Sequence, residues 1–342
     1  MSFARWVSAW IPRGRAKTLP ELCTAAGRHR YSTDVEQAPL GNGLWSHYAL
    51  MGWVEAFAEL GVIVASREQL LAAGASGRLL STAVKGGYLV RARRDHYVLP
   101  GTSANLIRAV RIGGRLACVS ALEQANVFAL DASWPHVSLD PDASRLRSPN
   151  NRFVALHDQN RDGAELHWSP LFDPDRATAH SVGLPDALAQ SLRCQEPRFA
   201  LASLDNALHH GLVTAGDISE VFAHSPQRLQ YLKPLVNRRV EAGQETVLGW
   251  IIREAGLRYE VQVTFPGIGR VDTLVEGCLV VEADSRLAHD GWSLHVVDRN
   301  RDVDLARLGL MSLRPVYQRI MFTPHDVRDA ILQLVNVHHR VR

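Results

Sequence analysis

At 342 residues, with 46% hydrophobic and 21% charged residues, the chain has ordinary globular composition and is long enough for two or three domains. Global disorder is excluded on these figures, and no run approaches the roughly 18 consecutive apolar residues of a membrane span. A net charge of +3 permits nucleic-acid binding without demanding it.

Residues 1–50 carry Pro12, Pro20, Pro39, Arg13, Arg15 and three tryptophans without a sustained period. A basic arm against nucleic acid is one reading. A disordered extension, or an over-long start with the initiator at Met51, is the expected one, and no clean apolar core follows to suggest a signal peptide.

From Met51 the pattern sharpens. A helix from Met51 to Leu60 ends at Gly61. Ser66 with Gln69 forms a capping-box signature, opening a helix that stops at Gly74. Ser76 starts a second helix to about Lys85, ended by Gly86-Gly87. Strands at 88–91 and 96–99 flank the basic turn Arg93-Arg94-Asp95. Helix, turn, helix and hairpin predict a winged helix-turn-helix, whose second helix enters the major groove. Arg78, Lys85, Arg91, Arg93 and Arg94 are its candidate DNA contacts; a protein-interaction role for the same module stays open.

The stretch from Glu68 to Ser76, with Gly87-Tyr88-Leu89-Val90-Arg91 and Tyr97-Val98-Leu99, resembles the N-terminal domain of AbiEi-type antitoxins. Asp95-His96 departs from that pattern, where a wing glycine is common.

Residues 103–240 predict a mixed α+β middle domain. Helices are expected at 103–111 and 119–124, and short strands at 136–139, 153–157 and 165–168. Further helices are expected at 184–194, 198–210, 215–222 and 226–236. His136, His157 and His167 fall on adjacent strands and His209-His210 on a helix end, without a ligand spacing such as H-x-x-x-H. Cys23, Cys118, Cys194 and Cys278 lie far apart with no C-x-x-C pair. Neither set is expected to bind metal, and a reducing cytoplasm is the expected compartment.

From residue 243 a last domain begins. A helix at 245–255 precedes an alternating strand at 259–265, and a hairpin follows from Gly269 to Asp284. A helix at 298–309, a strand near 311–316 and a helix at 324–334 complete it. The hairpin carries Asp272, Glu282 and Asp284. A carboxylate within an apolar strand costs several kcal/mol unless compensated, and a divalent ion is a natural compensator. The register decides whether the acids meet. A two-residue loop at Glu276-Gly277 puts Asp272 and Glu282 on opposite faces. A three-residue loop, Val275-Glu276-Gly277 with Gly277 left-handed, or another odd loop puts them on one face; the odd form is predicted.

Helix, three strands, helix, strand is the order of restriction-endonuclease-like, PD-(D/E)xK, domains. Residues from about 243 to 335 resemble the Vsr-like endonuclease group. The match rests on Glu245, Gln262, Gly269-Arg270-Val271-Asp272, Val281-Glu282-Ala283-Asp284-Ser285, His289, Asp298-Arg299-Asn300-Arg301-Asp302, Leu305, Gly309 and Leu313-Arg314.

The resemblance implies that Asp272 and Glu282 hold Mg2+ or Mn2+. Asp284 stands where the common signature has lysine, and His289 supplies proton transfer. Glu245 orients a water or serves only the helix dipole, and Gln262 bonds substrate or a ligand, or is an exposed strand amide. Arg299 and Arg301 face phosphate or pair with Asp298 and Asp302.

The expectation is a multidomain α/β, cytoplasmic, Mg-dependent DNA endonuclease in defence or repair, with DNA and a cognate toxin or defence protein as partners and no membrane. The alternative is a DNA-binding transcriptional regulator of the type IV toxin-antitoxin kind, with a non-catalytic nuclease-like domain.

Overall fold

The computed structural model describes residues 43–283 and 292–341. The chain is a mixed α/β protein, with three small sheets among the described residues, divided into two compact units that meet in sequence between Thr102 and Ser103. Among the described residues no helix is long and apolar enough to cross a membrane.

The first unit opens with α1 (Gly43–Leu60), so the helix expected from Met51 starts eight residues earlier. Gly61, at φ 63°, ends it. Strand β1 (Val64–Ser66) leads into α2 (Arg67–Ala72), α3 (Gly77–Lys85), β2 (Val90–Arg93) and β3 (His96–Val98). The capping box forms as expected: Gln69 N–H donates to Ser66 Oγ, and Ser66 N–H donates to Gln69 Oε1 at 2.8 Å. Ser76 Oγ caps α3 by accepting from Leu79 N–H.

The sheet order is β1-β3-β2, and its edge strand β1 has no alternation long enough to be read from sequence. The turn between β2 and β3 is tighter than expected, only Arg94 and Asp95, with Asp95 at φ 61°. Aspartate tolerates this left-handed region better than most non-glycine residues. That is how the turn closes without a glycine.

The second unit begins with α4 (Ala104–Ile112), β4 (Arg115–Leu116), α5 (Cys118–Gln124), β5 (His136–Ser138) and β6 (Glu165–His167). In its sheet β5 lies between β4 and β6, antiparallel to the first and parallel to the second. The strand expected at 153–157 is absent. Its residues make one isolated bridge, Arg147 to Ala155, and Phe153 is 80% exposed.

Helices α6 (Leu184–Cys194), α7 (Pro197–His209) and α8 (Ala215–Ala223) fall where expected. The segment at 226–236, expected as a helix, is a 3-10 stretch, Gln227–Leu235, with Pro234 inside it.

Then follow α9 (Gly243–Glu254), β7 (Tyr259–Phe265), β8 (Gly269–Val275), β9 (Leu279–Val281), α10 (Trp292–Arg307), β10 (Met311–Leu313), α11 (Tyr317–Phe322) and α12 (Pro324–Val341). The sheet runs β10-β9-β8-β7, antiparallel except where β10 joins β9 in parallel. Helices cover both faces of β9. Leu279 and Val281 share a core with Val247, Leu248, Ile251 and Ile331, while Val280 packs with Leu305 of α10.

Residues 103–240 and 243–342 share that core, which places the boundary expected near 241 inside one unit. Phe128, Phe199 and Ala202 belong to the same cluster as Val247 and Leu279. Buried polar side chains of α7 reinforce the joint. Asp205 accepts from Asn237 N–H at 2.7 Å and from Thr246 Oγ1 at 2.9 Å. Asn206 accepts from Phe128 N–H and donates to Glu241 O. Helix α7 thereby fixes both ends of the segment that delivers Glu241 and Glu245.

Candidate active site

The hairpin turn sets the site. Glu276 and Gly277 both take positive φ, 47° and 64°, and Cys278 N–H closes the turn on Val275 O at 3.0 Å. Arg258 holds Glu276 there: Glu276 N–H donates to Arg258 O at 3.0 Å, Arg258 N–H donates to Glu276 Oε1 at 2.7 Å, and the two side chains form an ion pair at 3.0 Å. Val275 pairs with Leu279, so the loop has three residues, Glu276-Gly277-Cys278, one position later than expected. The count is odd, as expected. The ladder ends at Thr273–Val281, and just beyond it Asp272 and Glu282 stand close enough for the charge of Asp272 to act on Glu282.

Asp272 Oδ2 accepts from Ala283 N–H at 3.2 Å, which ties the acid to the end of β9. On its other side the neighbour is Gln262. The β7–β8 register runs unbroken on both sides of Gln262, but this residue leaves the ladder with φ 55°. A positive φ for glutamine is uncommon and costs on the order of 1 kcal/mol. It turns the amide towards α9, where Gln262 Nε2 donates to Glu245 Oε2 at 3.0 Å. Glu245 also accepts from Glu241 N–H at 3.3 Å.

Burial drives all three acids towards their neutral forms. Glu245 is pushed up to about 7, first by burial and then by the charge of Asp272. Burial raises Asp272, against the Ala283 N–H and the charge of Arg301. Glu282, 8% exposed, is likewise raised by burial, opposed by Arg314 and Arg301.

The compensator at Glu282 is arginine. Arg301 Nη2 lies 2.8 Å from Oε1, and Arg314 Nη2 lies 2.8 Å from Oε2. The same Arg314 nitrogen is 2.8 Å from Asp302 Oδ1. Arg301 therefore turns inward, and it also donates to Arg270 O. Arg299 is exposed and pairs with Asp302 along α10 at 3.0 Å, which is the helix-surface alternative. Arg270 pairs with Glu241 at 2.6 Å across the rim of the site.

Glu245, Gln262, Asp272 and Glu282 thus come together; Asp284 and His289 lie outside the described residues, as do residues 1–42.

In the first unit, Arg78 and Lys85 are exposed on α3, seven residues apart. Arg94 at the hairpin tip is largely exposed beside Asp95. Arg91 is half-buried with its guanidinium 5.9 Å from the Tyr97 ring centre, and Arg93 is also half-buried. A bulge at the buried Ala92 separates these two arginines.

Two features escape a local reading of the sequence. Arg314 clamps Glu282 across 32 positions, within the Leu313-Arg314 pair that had no assigned role. Cys118, His136, His167 and Cys194 also converge, with ligand atoms all within 4.8 Å of one another. Neither the cysteines nor the histidines are expected to bind metal on their sequence spacing, yet two of each are brought within reach of one ion. Their spacing shows nothing locally because four separate elements supply one residue each.

No protein-family model matches the chain, and no curated protein is significantly similar to it.

Proposed function

We propose that the chain is a cytoplasmic, metal-dependent DNA endonuclease, with a Vsr-like, restriction-endonuclease-like domain at its C-terminus and an AbiEi-like winged helix-turn-helix in front. The observation that carries this reading is that Gln262 donates to Glu245 while the charge of Asp272 acts on both Glu245 and Glu282. The order α9, β7, β8, β9, α10, β10 supports the nuclease assignment. Two short helices followed by a hairpin with exposed Arg78, Lys85 and Arg94 support the DNA-binding one.

The donors fit a hard cation in type, since all are carboxylate oxygens, and burial raises the pKa of each in the absence of a compensating positive ion. Asp272 and Glu282 would hold Mg2+ or Mn2+, with Glu282 sharing or yielding one of its guanidinium partners. Such an ion supplies positive charge that polarises the scissile phosphate and lowers the pKa of a nearby water. Glu245, with its pKa raised to about 7, exchanges a proton with water near neutral pH. Gln262 orients Glu245. His289 and Asp284 complete the set that the sequence resemblance implies.

Supercoiled and mismatched DNA incubated with Mg2+ tests the reading. Nicking by wild type and not by Asp272→Asn is expected.

The double arginine clamp favours a second reading. With both Glu282 oxygens held by guanidinium groups, the same fold serves as a binding module in a transcriptional regulator of antitoxin type. Retention of operator-like DNA by both proteins, with no nicks above background, would support it.

A further inference from the structure

We infer that Cys118, His136, His167 and Cys194 form a structural zinc site in the second unit, separate from the acidic hairpin. Cys118 opens α5, and Cys194 is the last residue of α6. His136 and His167 sit on the neighbouring parallel strands β5 and β6. Side chains from four elements thus meet at one edge of the small sheet.

The distances suit a tetrahedral ion. His136 Nδ1 lies 3.2 Å from His167 Nε2, and His167 Nε2 lies 3.9 Å from Cys194 Sγ. Ligands about 2.0–2.3 Å from a tetrahedral zinc stand about 3.3–3.8 Å apart. All four ligand atoms lie within 4.8 Å of one another, so closing on an ion asks for side-chain rotations of about an ångström.

Chemistry selects the metal. Two sulfurs and two imidazoles form a four-ligand closed set of the kind that structural zinc takes, whereas the hairpin acids suit a hard ion. Both cysteines bind as thiolates, with their protons released to solvent.

The surroundings hold the ligands in place. Cys118 keeps a left-handed backbone, φ 48°, while its N–H donates to the buried Gln190 side chain at 2.9 Å. Ser120 Oγ accepts from His136 N–H and donates to Trp134 O, which fixes the start of β5. Strands β4 to β6 have only two or three residues each, so their own ladder contributes little stability. Zinc would staple them to α5 and α6.

Elemental analysis of the full chain, purified from zinc-supplemented cells under reducing conditions without chelator, tests the proposal. About one zinc per chain is expected in the wild type and in Asp272→Asn, and much less in Cys194→Ser, which alters the exposed ligand. If Cys194→Ser does not fold, cobalt loading of the wild type decides, with intense visible bands and thiolate-to-cobalt charge transfer expected. Wild type holding no zinc, or cobalt giving the weak bands of an octahedral oxygen site, would overturn it. So would a Cys118–Cys194 disulfide found by peptide mapping of the same preparation. Because Asp272→Asn leaves these ligands intact, loss of DNA nicking there would not bear on this site.

Discussion

Arg314 places one guanidinium nitrogen 2.8 Å from Glu282 and the same distance from Asp302, joining the start of the last connection to β9 and α10 at once. Glu282 is buried and its two partners are themselves only about a fifth exposed, so solvent screens these pairs weakly. Arg314→Met leaves half of a buried carboxylate unpaired and is expected to cost about 3 kcal/mol in urea unfolding. Adding Glu282→Gln should recover much of that loss. A double-mutant cycle showing no coupling between the two positions would remove the clamp from the account.

Gly243 starts α9 against Phe128, and a Cβ there would overlap the phenyl ring. Its φ is not in the left-handed region, so the constraint is close approach. Gly243→Ala should destabilise the second unit by about 1–3 kcal/mol. Phe128→Leu in the same chain should relieve part of the loss, read as a partial recovery of thermal midpoint.

Asp205 gives the chain a pH dependence. Burial pushes its carboxyl up to about 7, against the Asn237 N–H and the Thr246 hydroxyl. The folded state then binds more protons than the unfolded state between about pH 4 and 7, so this group's contribution falls as pH rises through that window and levels off above it. The loss is on the order of a few kcal/mol. Asp205→Asn keeps the acceptor for Asn237 N–H and a donor for Thr246 Oγ1. It should flatten the profile and raise stability at pH 8 relative to wild type. An unchanged slope of unfolding free energy against pH between 4 and 7 would contradict the assignment.

Local chemistry made much of the fold legible. The Ser66–Gln69 box, the Ser76 cap and the glycines after α1 and α9 act within one turn of the chain, so their signals survive in sequence order. The odd hairpin loop was readable too, because Gly277 and the period of two constrain each other; its exact residues were not, since Glu276 adopts positive φ with help from the distant Arg258. Sequence-distant pairing hides the rest. Strand β1 is three residues long and defined by its partner β3, and the apolar run at 153–156 finds no ladder. In the site, the acids and Gln262 could be named in advance. The arginine clamp and the cysteine–histidine cluster could not, because each forms only when separate elements meet.

The most direct measurement is the single-turnover nicking rate of supercoiled DNA in Mg2+ by the wild type and by Asp272→Asn. The clustering of Asp272 with Glu282 and Glu245 predicts metal-dependent nicking by the wild type and a rate more than about a hundredfold lower in the variant. Equal rates in the two proteins, or none above background in a wild type that still binds the DNA, would contradict it.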